Sequence, residues 1–222
     1  MLPVTVVPSL PAGSLAEIEA LCSALKGVAR EVQIDIVDGV YVPHKSWPFT
    51  ESGGMEHFEE MRQYTKDFLL EVDCMVQNPE QYLDTIAALH PSRVCIHAGS
   101  TSAYDEIIAH AYTYGYKLGF AFTNDTSLDL LEQYFDDIFY VQLMGIKEVG
   151  QQGQPFDERT LDRARLLRTR YPEFEIAVDG SVNAQTIPLL YAAGVNRFAP
   201  GSAIAKTESP KVAYKQLQAL LD

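Results

Sequence analysis

Apolar and polar positions follow two alternating patterns along the chain. Short apolar runs (VTVVPS, VQIDIVDG, FLLEVDCM, RVCIHAG, KLGFAFT, IFYVQLMG, FEIAVDG and RFAPGSA) recur at intervals of roughly 25 residues and read as buried strands. Between them lie stretches with amphipathic helical spacing: SLAEIEALCSALKG, a weaker GGMEHFEEMRQY, PEQYLDTIAALH, SAYDEIIAHAYTYG, SLDLLEQYF, TLDRARLLRTRY, NAQTIPLLYAAG and PKVAYKQLQALL. Several are opened by Ser, Thr or Asn, whose side chains satisfy free amides of a first turn, and closed by Gly, which accepts the left-handed conformation of a helix end. Eight such strand and helix units in 222 residues predict an α/β fold, a compact (β/α)₈ TIM barrel in one domain over residues 1–222. A doubly wound open sheet usually has fewer strands and a glycine-rich first turn, and GxGxxG is absent. The least regular stretches, Tyr41 to Gly54 and Lys147 to Phe156, follow the second and sixth strands. In a barrel they lie on the face where active sites are built.

Composition narrows the function classes. With 47% hydrophobic and 21% charged residues, the chain fits one globular domain with a sizeable core. The net charge of −13, from 17 basic against 30 acidic residues, argues against nucleic acid and anionic membranes as partners. No apolar run approaches the roughly 18 residues of a membrane span, and the start MLPVTVVPSL lacks a basic segment followed by a long apolar one, so a cytoplasmic location is expected. Cys22, Cys74 and Cys95 are odd in number and form no CxxC pair, which points to reduced thiols in or near a core.

The chemistry sits at the strand ends. Asp35 and Asp38 in QIDIVDG, Asp73 in EVDCM and Asp179 in AVDGS each interrupt an apolar strand. An unpaired buried carboxylate is costly, so each needs structural partners such as loop amides or a functional reason to be there. One alone leaves both readings open; several on different strands of one barrel favour a site, because neighbouring strands aim their ends at a common point. Gly180-Ser181 and Gly201-Ser202 follow the last two strands directly. A lone GS pair is usually a turn, but two in consecutive units match the loops whose backbone amides bind phosphate in this fold.

These segments resemble those of the ribulose-phosphate 3-epimerase family. QIDIVDGVYVP is similar to the family's HxDxMDGxFVPN, VVPSL to its PSIL, LEVDCMVQNPEQYL to LDVHLMxxxPExY, VCIHAG to its HxE region, LMGIKEVGQQGQPF to MSVNPGFGGQxF, and VDGSVN and PGSAI to VDGGIN and AGSAIF. The matches run in order from residue 3 to about 205. The resemblance implies an isomerase of carbohydrate metabolism and the pentose phosphate pathway, which moves a proton at C3 of a ketose phosphate through an ene-diolate, with Asp35 and Asp179 as the acid and base. It also implies a phosphosugar partner held by Ser9, Met75, His97, Gly150, Gly153, Gly180, Ser181, Gly201 and Ser202. Homo-oligomers are common in the family, and no nucleotide or organic cofactor is implied.

The family's divalent metal is held by two aspartates and two histidines, and both histidine positions differ here. They are Gln33 and Asp73. Gln33, Asp35, Asp73 and Asp179 offer oxygen donors only, a set that suits Mg²⁺ or Mn²⁺ better than Zn²⁺ or Fe²⁺. Two readings follow: an epimerase with a harder metal ion, and a phosphosugar-binding barrel that has lost metal and turnover. The sugar-covering loops also depart from the family through His44, Trp47 and Lys147, which are candidates for altered substrate fit. Decarboxylases and aldolases on similar barrels require DxKxxD or a strand lysine. Gln33 and Asp35 occupy the motif's first two functional positions, and Lys117 is the only lysine within a strand.

Overall fold

The strand-like runs pair side by side in chain order and close on themselves. A computed structural model describes residues 2–10, 12–151 and 153–221. Its strands are β1 (Thr5–Val6), β2 (Ser9–Leu10), β3 (Glu31–Val37), β4 (Leu69–Met75), β5 (Arg93–His97), β6 (Lys117–Phe122), β7 (Tyr140–Met144), β8 (Glu175–Asp179) and β9 (Arg197–Ala199). All pairings between these strands are parallel, in the order β1-β9-β8-β7-β6-β5-β4-β3-β2. β1 and β2 are two halves of one extended segment. Its amides at Val7 and Ser9 donate to Phe198 and Pro200, while its Pro8 carbonyl accepts from Gln33, so one segment joins both edges and completes an eight-membered barrel.

The helices are α1 (Leu15–Leu25), α2 (Arg62–Thr65), α3 (Leu83–Ala87), α4 (Tyr104–Tyr114), α5 (Asp129–Tyr134), α6 (Arg159–Arg170), α7 (Thr186–Ala192), α8 (Ser202–Ala205) and α9 (Pro210–Gln218). All eight expected helical stretches form. The weak GGMEHFEEMRQY stretch is mostly a 3₁₀ turn over Gly54–Met61 before α2, and Pro79–Tyr82 is another before α3. The addition is α8, one turn after Gly201 that sequence periodicity is too short to reveal. Among the described residues no helix is long and apolar enough to cross a membrane.

Strand alternation divides the sheet into two faces. Val32, Ile34, Ile36, Val72, Val94, Phe120, Leu143, Val178 and Phe198 pack outward with helix residues such as Ile18, Ile107 and Ile187 in the main core. Each such side chain contributes roughly 1.5–3 kcal/mol through burial. The inward face is largely polar. At its lower end Arg197 bonds Glu31 (2.7 Å) and Glu71, Arg93 bonds Glu175 (2.5 and 3.1 Å), and the Tyr140 hydroxyl donates to Glu71 (2.8 Å). Gly119 makes room for Tyr140, since a side chain there would overlap its ring. This ion-paired floor closes the barrel from below.

Candidate active site

One level above the floor, β3, β4, β5, β7 and β8 turn a second set of polar side chains into the barrel. Asp35, Asp73 and Asp179 each offer an oxygen to a cluster in which these atoms lie within 4.8 Å of one another. The register explains the convergence: Asp35 lies beside Asp73 on the adjacent strand, and Asp179 ends β8 beside Met144. The Gln33 amide nitrogen lies between two of the carboxylates, donating to Asp35 (2.9 Å) and Asp179 (2.7 Å), and the Ser9 hydroxyl donates to the other Asp35 oxygen (2.7 Å). Asp73 is fully buried and held from two sides, by His97 Nε2 (2.9 Å) and Gln142 Nε2 (2.8 Å).

Such crowding raises the cost of charge. Burial, followed by the nearby Asp73 charge, pushes the Asp35 carboxyl up to about 7 despite its bonds from Gln33 and Ser9. Burial and then the charges of Asp35 and Asp73 push Asp179 well above the ordinary carboxylate range. The donor set fits a hard divalent cation: three close carboxylates, with no Lys or Arg among the groups bonded to them. Gln142 Oε1 and His97 Nδ1, both buried beside this cluster, also lack partners among the described residues.

Above the carboxylates opens a pocket of about 500 Å³. Asp35 and Asp179 reach it, as do Ser9, Met75, Gly150, Gly153, Gly180, Ser181, Gly201 and Ser202. His97 does not: it is fully buried beneath the pocket, its ring spent on Asp73 and packed edge-on to Tyr41 at 5.6 Å. Gln33 and Asp73 likewise sit below the lining. Gly180 and Ser181 have φ of +96° and +53°, a left-handed turn directly after β8 that lines the pocket. Ser181 Oγ donates to the Gln154 carbonyl, and the Gln154 side chain bonds Glu148 in both directions, which folds the loop after β7 toward that turn. Gln152 of this loop lies outside the described residues. On the opposite rim a helix cap shapes the mouth: the Glu17 amide donates to Ser14 Oγ, and the Glu17 carboxylate accepts from the amide of Gly13, which lines the pocket.

The remaining sequence candidates take structural places. Asp38 accepts from the amides of Val40 (2.8 Å), Tyr41 (2.9 Å) and Gln77 (2.8 Å), which fixes the loop after β3. Trp47 is buried in the core and stacks on Phe58. His44 and Lys147 are exposed and outside the pocket lining. Lys45, between His44 and Ser46, lines the pocket instead, and Gln142 joins the carboxylate layer. Sequence reasoning overlooked both. The signal for Gln142 was a polar residue inside the apolar run YVQLM, while nothing local separates Lys45 from a solvated loop charge.

The fold is shared with KGPDC from Streptococcus mutans (TM-score 0.75, 15% identity, covering 99% of this chain and 97% of that one). It is also shared with a 3-hexulose-6-phosphate synthase (TM-score 0.71, 16% identity, covering 98% and 99%). At the sequence level the chain is 29% identical over 215 residues to the ribulose-phosphate 3-epimerase of Schizosaccharomyces pombe, covering 95% of this chain and 91% of that protein. It is 28% identical over 221 residues to the Bacillus subtilis enzyme of the same name, covering 97% and 98%. The model of the Ribulose-phosphate 3 epimerase family matches residues 5–205, and with the strand-end aspartates and closed barrel in place, the chain belongs to that family.

Proposed function

We propose that the protein interconverts D-ribulose 5-phosphate and D-xylulose 5-phosphate by proton transfer at C3. The observation that carries this reading is the pair Asp35 and Asp179: both line one pocket, both are raised in pKa by burial and by carboxylate neighbours, and the Gln33 amide links them. Inversion at a carbon needs one group to take the proton and another to supply one from the opposite face, each with a pKa near the working pH. The Gln33 bridge lets the pair trade roles as the reaction reverses, because whichever carboxylate is charged accepts the amide proton it already faces. Asp73 cannot swing to compete, being held by His97 and Gln142.

The amides of Gly180, Ser181, Gly201 and Ser202, with the single turn of α8, would hold the phosphate, the usual place for it in this fold. Met75 and Met144 offer an apolar wall to the sugar. Asp35, Asp73 and Asp179 would hold a divalent cation, Mg²⁺ or Mn²⁺ by donor type, with the Gln33 amide nitrogen bonded to two of these carboxylates rather than acting as an oxygen ligand. When bound, such a cation supplies polarisation of the ketose carbonyl and lowers the cost of the neighbouring negative charge.

The deciding experiment is incorporation of solvent deuterium at C3 of ribulose 5-phosphate, with metal-stripped protein and then with Mg²⁺, Mn²⁺, Fe²⁺ or Zn²⁺ restored. Epimerisation that Asp35→Asn and Asp179→Asn each abolish is expected, with C3 exchange retained only by the variant that keeps the carboxylate facing the C3 hydrogen. Absence of exchange with every metal and with related ketose phosphates, while phosphosugar binding persists, would make the chain a binding protein instead.

A further inference from the structure

Lys45 is the one basic side chain among the described residues that line the pocket. It shares that lining with Asp35, Ser9 and Ser46, and the hydroxyl of Ser46 donates to the Asp35 carbonyl at 2.6 Å, so the loop carrying Lys45 is tied directly to the strand carrying the acid–base residue. The backbone is fixed as well: Lys45 forms an antiparallel bridge with Asp38, whose carboxylate anchors the loop. The stem of the side chain lies across Gly39. A Cβ at that glycine would come within 2.8 Å of Lys45 Cγ and Cε, and its φ of +77° also disfavours any side chain there. In a chain with a net charge of −13, the ammonium nonetheless makes no ion pair within 4.0 Å among the described residues. The loop therefore presents an exposed cation at the pocket, its stem resting on Gly39 and its ammonium unpaired among the described residues.

The movement of charge during the reaction gives that cation a use. When the C3 proton passes to the charged carboxylate, the C–H bonding pair becomes the C2–C3 double bond and the carbonyl electrons move to O2, so one negative charge leaves the carboxylate and appears on the substrate. Such charge is stabilised most by a fixed donor aimed where it develops. Resting on the epimerase reading above, we propose that Lys45 is a catalytic residue of this chain, contacting the oxyanion side of the ene-diolate as negative charge passes from the carboxylate to the substrate.

The test compares wild type with Lys45→Met and Lys45→Arg. C3 exchange is measured alongside the affinity for two phosphorylated probes: a four-carbon hydroxamate phosphate, which carries an ene-diolate-like anion, and a pentitol 5-phosphate, which has no oxyanion. Lys45→Met should lower kcat and hydroxamate affinity by about 100- to 1,000-fold, in the manner of a lost oxyanion donor. KM and pentitol phosphate affinity should stay within about threefold, since only the transition-state interaction is lost. Lys45→Arg should recover most of both losses. Equal weakening of the two probes, or kcat unchanged in Lys45→Met, overturns the role of Lys45 while the epimerase reading stands. Wild-type protein that neither exchanges C3 hydrogen nor prefers the hydroxamate overturns both.

Discussion

Replacing Asp35 by Asn should abolish epimerisation yet make the metal-free protein more stable at neutral and alkaline pH. Asp35 accepts from Ser9 on one oxygen and from Gln33 on the other, and Asn reproduces this arrangement: its carbonyl accepts from Gln33 and its amide donates to the Ser9 hydroxyl. What the substitution removes is a charge the fold disfavours. The Asp35 carboxyl rises from 3.8 to about 7 on folding, mainly through burial and then through repulsion from Asp73. For an acid raised in this way, the stability contribution is complete below pH ~4 and is lost as pH climbs through ~7, because the unfolded chain ionises first. A shift of about three units corresponds to roughly 4 kcal/mol, and sharing of the proton with Asp179 reduces the net gain to roughly 2 kcal/mol. In a domain of this size that is a Tm increase of about 5 °C. Thermal unfolding in a chelator at pH 8 and pH 4.5 measures it: Asp35→Asn should exceed wild type at pH 8, and the gap should close at pH 4.5. Saturating Mn²⁺ should reverse the ranking, since a ligand at 100 times its Kd adds about 2.7 kcal/mol to the protein that binds it. An Asp35→Asn protein less stable than wild type in chelator at pH 8, or a gap of the same size at both pH values, would refute the argument.

Three further outcomes test the layers of the barrel. Arg197→Met leaves Glu31 and Glu71 without their shared cation in the floor and should cost roughly 3–5 kcal/mol in denaturant unfolding, with C3 chemistry retained in the folded fraction. Gly119→Ala forces a methyl against the Tyr140 ring and should cost roughly 1–3 kcal/mol by the same measurement. Gln33→His combined with Asp73→His introduces two imidazole donors and should move the ion preference, read by calorimetric titration of stripped protein, from Mg²⁺ or Mn²⁺ toward Zn²⁺.

Much of the fold was legible because apolar periodicity is set by the same geometry that packs the sheet. Every strand-like run became a strand, and Asp35 and Asp73, which stood out as interruptions of apolar strands, lie on adjacent strands at paired positions. The proposed pair Asp35 and Asp179 was legible through motif resemblance, and the pocket gathers it with both glycine-serine turns. Less legible was depth. His97 ends β5 and so read as a pocket residue, but its ring lies below the lining because Asp73 and Tyr41 claim it. Trp47, in a mouth loop, turns into the core against Phe58. Loop side chains take directions fixed by tertiary partners far away in sequence, and no local pattern encodes these.

The barrel interior shows why charge alone did not mark the site. Glu71 and Asp73 stand two residues apart on β4, face the same interior and are equally buried. Glu71 meets Arg197 and the Tyr140 hydroxyl, so its charge is matched within the protein. Among the described residues Asp73 bonds only His97 and the Gln142 amide, and the carboxylates nearest to it have no bonded Lys or Arg. The floor can therefore close on itself as structure, whereas the layer above carries carboxylates that the fold leaves without a bonded cation among the described residues. That imbalance depends on Arg197 lying 126 residues away from Glu71, a pairing that only barrel closure creates. A buried carboxylate whose strand neighbour is neutralised by the fold, while it is not, is one the fold has left available for chemistry.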